Sequence, residues 1–464
     1  MTDDRVNQLI REATRLRYSR RGVVKRAAAL GLSGSALSAA LAGAGHAAAA
    51  PSRAPARQTS GKLAILANSY FVPAGQEHFL AEAQRWGQEN GVEVTADFVS
   101  YPDLQAKIGA AVSGNNGPDI IEMWDTWPSL YYQSMVEVND LAAAAADAKG
   151  GYFDWVAPTA AVDGQWYSVP TGFSSSAWAY RISHFEEAGV VDAANNFPKT
   201  WDEVFAVGKN LKAMGKPIGQ AFGHSLGDPP NFCYSYMWAH GAMEVEEDGK
   251  TVAFNKPEFV AGMEKFIQGY KDGFDETGLA WDDAVNNRAF LADEISATIN
   301  GSSIYLTAQK DMAEKPNEAV VDPADITHGA YPAGPAGQFA IVGSRSYGIM
   351  KYTKNLEAAK AFMAWWTAPE QFQPWLESQG GYIVAPQTGY ADLPIYVGDP
   401  KLKPYIDIIA YGRNKGYAGP SDIKAARVYS DYIVVDAFSK AIQSGDAKGS
   451  IEQAAQQLDR IYRR

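Results

Sequence analysis

Residues 117–125 read GPDIIEMWD, and this stretch contains a predicted strand that ends at an aromatic and an acidic side chain. Two further strands are predicted upstream, at residues 62–67 and 92–98. The segments between them, residues 76–90 and 103–112, are predicted to be helices, the first from apolar side chains at helical spacing. An alternation of strand and helix in this order predicts a parallel α/β sheet.

The pattern changes near Ala161. Residues 162–170 predict a turn between two short strands, and residues 172–180 predict a strand rich in small and polar side chains. Thr200 and Glu203 have the spacing of a capping box, which predicts that a helix begins there. Further helices are predicted at residues 258–272, 356–366, 421–442 and 450–462.

Composition limits the class of protein. The chain has 464 residues, of which 46% are apolar and 12% aromatic, so it can bury cores for two domains of ordinary size. Its net charge of −12 argues against nucleic acids and anionic membranes as partners. The single cysteine, Cys233, forms no internal disulfide, and the scattered histidines have no metal-ligand spacing. We therefore expect neither a metal nor a cofactor.

The N-terminal residues 1–50 predict an export signal. SRRGVVK at residues 19–25 precedes a stretch rich in Ala, Gly and Leu at residues 27–45, and small residues follow. Paired arginines before a short apolar run are typical of twin-arginine signals, and the order of the regions disfavours an Arg-rich amphipathic arm. No cysteine stands at the cleavage site directly after the run, so a lipid anchor is not expected. Residues 51–61 are predicted to be a flexible tether, and the mature protein is expected to be soluble and periplasmic.

Several stretches resemble, in the same order, the family 1 extracellular solute-binding proteins, which are the maltose-binding-protein-like receptors of ABC importers. They are residues 117–125, 162–181, 197–201, 289–301 and 343–348, and the likeness covers nearly all of residues 61–464. The resemblance implies a type II-like periplasmic binding protein, with two α/β lobes joined by a multi-segment hinge and a ligand cleft between them. It also implies a monomer that binds a sugar or polyol and docks on membrane permease subunits.

The resemblance also predicts how the chain is divided. Lobe 1 is predicted to comprise residues 62–172 plus 340–381, and lobe 2 residues 173–339 plus 382–464. The chain is expected to cross the hinge near residues 172–176, 332–341 and 381–385. Ligands of open α/β sheets bind beyond the carboxyl ends of strands, which places the expected cleft next to residues 69–71 and 124–127.

Sugar binding requires aromatic faces for C–H patches and carboxylates or amides for hydroxyls. Trp124 and Asp125 supply one of each directly after a strand, although a core position for Trp124 is an equal alternative. Trp281 and Asp282 lie in a second group of aromatic, acidic and amide residues, in which an acid can alternatively cap a helix. The predicted ligand-binding residues are Tyr70, Trp124, Asp125, Ser174, Asn231, Trp281, Asp282, Asn300, Gly343, Ser344, Arg345 and Tyr382.

The role of Arg345 stays open at this stage. Arg345 can bind an anionic ligand or pair with Asp125 or Asp282, and we expect the ion pair and a neutral ligand. Tyr70 is expected at the mouth of the cleft, whereas Phe71 is expected in the core.

The competing function is an exported hydrolase. Residues 223–227, GHSLG, match the nucleophile-elbow pattern around Ser225, but Asp228 and two prolines follow, and these predict a loop instead of the required helix. Paired carboxylates of a glycoside hydrolase, such as Asp125 with Asp282, are a further alternative.

Overall fold

Residues 61–463 are described by a computed structural model. The strands are β1 (Gly61–Asn68), β2 (Val92–Val99), β3 (Ile120–Trp124), β4 (Ala161–Val162), β5 (Gln165–Trp166), β6 (Val169–Ser174), β7 (Ala177–Arg181), β8 (Ala297–Asn300), β9 (Ile326–Gly329), β10 (Ala333–Gly334), β11 (Gly337–Gln338), β12 (Ala340–Ile341), β13 (Arg345–Ile349), β14 (Ile383–Val384) and β15 (Gly412–Arg413).

The helices are α1 (Pro73–Asn90), α2 (Tyr101–Gly114), α3 (Trp127–Tyr131), α4 (Asn139–Ala148), α5 (Ala157–Ala160), α6 (Ile182–Glu187), α7 (Trp201–Ala213), α8 (Asp228–Ala239), α9 (Pro257–Gly273), α10 (Val285–Leu291), α11 (Ser303–Glu314), α12 (Leu356–Trp366), α13 (Pro369–Ser378), α14 (Pro394–Val397), α15 (Lys403–Tyr411), α16 (Ile423–Ser430), α17 (Ile433–Ser444) and α18 (Ala447–Tyr462).

The larger sheet has six strands in the order β14-β6-β13-β3-β1-β2. Strand β1 pairs in parallel with β2 and β3, as the strand–helix alternation predicts. Strand β13 returns late in the sequence and pairs antiparallel with both β3 and β6, so that Arg345 lies opposite Trp124. This insertion places the start of β13 beside the end of β3, at the same edge of the sheet.

A second sheet has three strands in the order β8-β7-β9, and all neighbours are antiparallel. Strand β7 is central, and Ala177 at its start pairs with Asn300 at the end of β8. The capping box predicted for α7 is present: the Thr200 hydroxyl accepts the amide of Glu203 at 3.3 Å, and the Glu203 carboxylate accepts the amide of Thr200 at 3.0 Å.

The two sheets pack mainly in different hydrophobic clusters. Leu63 and Ile65 of the first sheet lie in one cluster with Trp366, whereas Trp178 and Tyr180 of the second sheet lie in another, to which Phe173 of the first sheet also belongs. Two sheets with largely different clusters, each covered by helices, form the two-lobe α/β fold that was predicted.

The chain passes between the sheets twice, at Ser175 and Ser176 and at residues 330–344. After β14 it leaves the first sheet a third time and continues into helix α15, which packs against β7 of the second sheet. Strand pairing in the first sheet continues through Ser174 and includes Val384, slightly past the predicted lobe boundaries. How the other segments are divided between the lobes remains a prediction.

Two predicted elements are each interrupted. The strand expected at residues 172–180 is two strands in different sheets, because Ser175 and Ser176 carry the chain from one sheet to the other. The helix expected at residues 421–442 is α16 followed by α17. Tyr432 separates them with a φ of 56°, a left-handed backbone conformation that no helix interior contains.

Candidate functional site

A cavity of about 70 Å³ lies where strand ends of the two sheets meet. The ends of β3, β6 and β8 and the start of β13 all reach its wall. The position agrees with the general rule that α/β sheets bind ligands beyond their strand ends.

Most of the predicted ligand-binding residues meet at this cavity. Those that line it are Trp124, Asp125, Ser174, Asn231, Asn300, Gly343, Ser344, Arg345 and Tyr382. They come from distant parts of the sequence, and the fold brings them together around one space.

Tyr70, Trp281 and Asp282 do not line the cavity. Tyr70 is buried in the core of the first sheet, while its neighbour Phe71 lines the cavity, which reverses the expectation for this pair. Trp281 is buried and donates its indole N–H to Thr277 at 2.9 Å. Asp282 is exposed and accepts the amides of residues 284 and 285 before α10, which is the alternative capping role.

Arg345 forms a buried ion pair with Glu122. Its Nε lies 2.6 Å from a Glu122 oxygen, and the other Glu122 oxygen accepts the amide of Asn68 at 2.9 Å. The guanidinium also lies 4.7 Å from the ring centroid of Trp124 and 5.1 Å from that of Tyr70. The expected ion pair is present, but its predicted partners, Asp125 and Asp282, are wrong, because register places β13 next to Glu122.

Asp125 pairs with Lys415, which lies 290 positions later in the sequence. The Asp125 backbone has a φ of 49° and donates its amide to Ser344, and this turn directs the side chain into the cavity wall. Gly343 leaves room for the carboxylate: a Cβ at that position would lie 2.7 Å from Asp125 Oδ2. Lys415 is also 4.2 Å from the ring centroid of Tyr429.

Two neighbouring carboxyl groups, Asp228 and Asp283, form another part of the wall. Asp283 accepts the Ser225 hydroxyl and the amides of Gly227, at 3.1 Å, and Asp228, at 2.7 Å. Asp228 Oδ2 accepts the side-chain amide of Asn300 at 3.1 Å. Burial, followed by the negative charge of Asp283, raises the pKa of Asp228 well above its usual range, and burial also raises the pKa of Asp283.

Aromatic rings and unpaired polar atoms complete the cavity. Tyr101 and Trp124 contact each other edge to face, with centroids 4.3 Å apart, and Phe173 and Tyr382 supply further rings. Trp124 Nε1 and Asp125 Oδ1 are buried and have no hydrogen-bond partner among the described residues. Buried polar atoms are rarely left unpaired, so these two atoms are available to a ligand.

The nucleophile-elbow pattern does not have the geometry of an elbow. No strand leads into Ser225, whose hydroxyl donates to Asp283, and the ring of His224 bonds to Asp436 at 2.7 Å. The loop predicted after Ser225 is wrong, because helix α8 begins at Asp228. Prolines in the first turn of a helix lose no hydrogen bond, which explains why they are tolerated there.

Some residues of the cavity wall and of its ion pairs were not predicted from the sequence. Glu122 had a usable signal, since an acid inside an apolar strand is buried and therefore needs a partner. Asp228 had another, because an acid before prolines suits a helix start. Lys415 lies in a polar loop and has no local signal.

Two further properties of residues 61–463 bear on function. This part of the chain contains no group of three or more His, Cys, Asp or Glu side chains that could hold a metal ion. Its helices are either too short or too polar to cross a membrane.

Three solved structures share this fold. The GacH receptor of Streptomyces glaucescens, solved unliganded and with acarbose, has a TM-score of 0.71 at 17% identity, covering 87% of this chain and 98% of that one. A Thermotoga lettingae ABC transporter solute-binding protein with α-D-tagatose has a TM-score of 0.72 at 15% identity, covering 87% and 100%. An Agrobacterium radiobacter K84 solute-binding protein with ribitol has a TM-score of 0.69 at 17% identity, covering 86% and 98%.

The family comparison agrees with this architecture. The family model described as bacterial extracellular solute-binding protein matches residues 81–404, which is well over half of the chain. The predicted family and the two-lobe fold are thereby confirmed. A cavity between strand ends, two lobes and this match lead to one conclusion: the chain belongs to the bacterial extracellular solute-binding proteins.

Proposed function

We propose that this protein is the receptor of an ABC importer and that it captures a sugar or a polyol. The observation that carries the proposal is the pair Trp124 and Asp125, whose ring, indole N–H and carboxylate oxygen are all present at one cavity wall. Aromatic faces and charged acceptors together match the two kinds of surface on a sugar. Proteins of this fold with acarbose, α-D-tagatose and ribitol support the same ligand class.

The contact residues proposed are those predicted residues that line the cavity, with Asp125 and Trp124 contributing most. A micromolar ligand corresponds to about −8 kcal/mol. One stacked ring and a few charge-assisted hydrogen bonds of roughly 1.5–3 kcal/mol each suffice for that affinity.

Ligand capture is proposed to occur by closure of the lobes. Small-molecule sites usually have volumes of roughly 300–1,000 Å³. A cavity of about 70 Å³ is too small to hold a sugar, which supports a closed arrangement whose walls separate before a ligand binds. The segments that pass between the sheets, including Ser175 and Ser176, are the proposed hinge, and the closed form is proposed to dock on the permease subunits as a monomer.

A thermal-shift screen of sugars, polyols, sugar acids and sugar phosphates tests the ligand class, because a ligand that binds only the folded state raises its stability. With the best ligand, Asp125→Ala is expected to reduce affinity at least tenfold. Asp282→Ala is the matched control, because Asp282 is exposed and outside the cavity, and its affinity should stay within about twofold. Normal binding by Asp125→Ala would place the site elsewhere.

We also propose that the protein is not an enzyme. His224 is hydrogen-bonded to Asp436 and is not positioned to activate Ser225, which supports this reading. Ester and glycoside substrates should remain intact after long incubation with purified protein. Hydrolysis that disappears in Ser225→Ala would establish the hydrolase instead.

Export by the twin-arginine route and the absence of a lipid anchor are proposed from residues 1–60, which lie outside the described part of the chain. Changing Arg20 and Arg21 to Lys should leave precursor in the cytoplasm. Normal export of that variant would contradict the twin-arginine route, and a membrane-bound mature protein would contradict the soluble periplasmic form.

A further inference from the structure

Two carboxyl groups of the cavity wall have no cationic partner among residues 61–463. The cations of the wall, Arg345 and Lys415, each contact a different carboxylate. Asp228 and Asp283 remain, and their hydrogen-bond donors are amides and a hydroxyl. A buried carboxyl group without a nearby positive charge ionises only at a cost in free energy, so a cation bound on this side of the cavity stabilises the carboxylate form.

Asp283 and Asp228 differ in whether a carboxyl oxygen remains free to accept a hydrogen bond from a ligand. Asp283 is occupied by the Ser225 hydroxyl and by backbone amides at the start of α8. Asp228 directs Oδ2 to the side-chain amides of Asn286, at 2.8 Å, and Asn300, at 3.1 Å. No described residue donates a hydrogen bond to Asp228 Oδ1, although the residue is only 7% exposed and lines the cavity.

The groups around Asp228 do not neutralise it. Asp282 is exposed and carries the same charge, and His224 is exposed and bonded to Asp436. The phenols near Asp228 remain neutral, because burial raises the pKa of each of them: Tyr331, Tyr382 and Tyr405.

We propose that the ligand carries a protonated nitrogen that Asp228 Oδ1 binds, so that the receptor prefers an amino sugar or amino polyol to its neutral parent. This inference rests on the proposed sugar or polyol function and narrows its ligand class. An ammonium group at Asp228 supplies the missing positive charge and a charge-assisted hydrogen bond to the free oxygen. Trp124 lines the same cavity, and its ring can cover the sugar face.

A neutral ligand has a different consequence at the same position. The raised pKa of Asp228 then lets the carboxyl group keep its proton and donate a hydrogen bond to a sugar oxygen. That affinity falls as pH rises through the pKa of Asp228, because the donor is lost. Affinity for an ammonium rises over the same range, because the carboxylate forms.

Matched probes separate these cases. Calorimetry compares each neutral compound with its own amine: glucose with glucosamine, galactose with galactosamine, and mannitol with 1-amino-1-deoxymannitol. The best neutral compound from the thermal-shift screen is compared with its amino counterpart in the same way. We expect at least tenfold tighter binding of the amine in the best pair, with affinity that increases as pH rises through the raised pKa of Asp228. Asp228→Asn should reduce the preference for the amine to within threefold.

Asp282→Asn is the matched control, since it removes a neighbouring charge outside the cavity and should keep the preference. An amine preference that survives in Asp228→Asn would overturn the assignment to Asp228. A neutral parent that binds as tightly as its amine, or amine affinity that falls with rising pH, would overturn the cation and leave the receptor function intact. If neither series binds, the sugar and polyol function itself is wrong. If Asp228→Asn does not fold, the pH dependence of the wild type decides between these cases.

Discussion

Replacing Arg345 with Met tests the buried ion pair that underlies the cavity. The variant keeps an unbranched chain of comparable length but leaves Glu122, which is fully buried, without its cation. Removing one partner of a buried ion pair typically costs about 3–5 kcal/mol. With an unfolding entropy of roughly 2 cal/mol/K per residue over roughly 400 residues, a loss of about 4 kcal/mol lowers the melting temperature by about 5 °C if unfolding is one transition.

Arg85→Met is the control for this measurement. Arg85 also contacts two carboxylates, Glu82 and Glu89, and lies 5.3 Å from the ring centroid of Trp365, but its side chain is exposed. Exposed pairs contribute about 0–1 kcal/mol, so a shift of about 1 °C is expected from calorimetry. Adding Glu122→Gln to Arg345→Met should restore part of the loss, because it removes the unpaired charge. A loss in Arg345→Met no larger than in the control would refute the reasoning.

Three further results are expected. Burial raises the pKa of Glu244 from 4.5 to about 7, so the folded protein holds a proton that the unfolded chain releases. The free energy of unfolding, measured by urea titration, should therefore fall by roughly 3 kcal/mol from pH 4.5 to 7. Glu244→Gln should make this dependence on pH less steep. Gly343→Ala should reduce ligand affinity at least tenfold in calorimetry by displacing the Asp125 carboxylate, whereas Gly109→Ala, with open space around its Cβ, should bind normally. Trp281→Phe should lower the melting temperature and keep affinity within about twofold, because the ring is in the core; a tenfold loss of affinity would place it in the site.

The elements that the sequence predicted well are those with local patterns. Strand β2 and helix α12 are indicated by the spacing of apolar side chains over a short stretch of sequence. The capping box at Thr200 depends on a residue three positions away. Propensity, periodicity and caps act over such short distances. Trp281 failed for the same reason: local composition shows an aromatic beside acids, but its burial depends on the close approach of Gly219 and Gly223.

The pairing of charges in the cavity depends on contacts that no local pattern encodes. Glu122 and Arg345 are 223 positions apart, and they meet because β13 inserts antiparallel between β3 and β6. A shift in strand pairing by one residue would turn Arg345 to the other face of the sheet. Partner identity therefore follows from register, whereas the need for a partner follows from burying a charge and was predictable.

A buried charge needs a partner, and this need explains why Asp228 in the cavity wall is informative about the ligand. Within the described residues, Arg345 and Lys415 have found carboxylates through long-range contacts, and these pairs leave their sites nearly neutral. The carboxyl group of Asp228 is also buried, but its side-chain hydrogen-bond donors are amides and not cations. Burial raises the pKa of Asp228, so ionising this carboxyl group costs free energy, and a ligand that supplies a positive charge offsets that cost only when it binds. The proposed discrimination between an amine and its neutral parent follows from Asp228 having no cationic partner among the described residues.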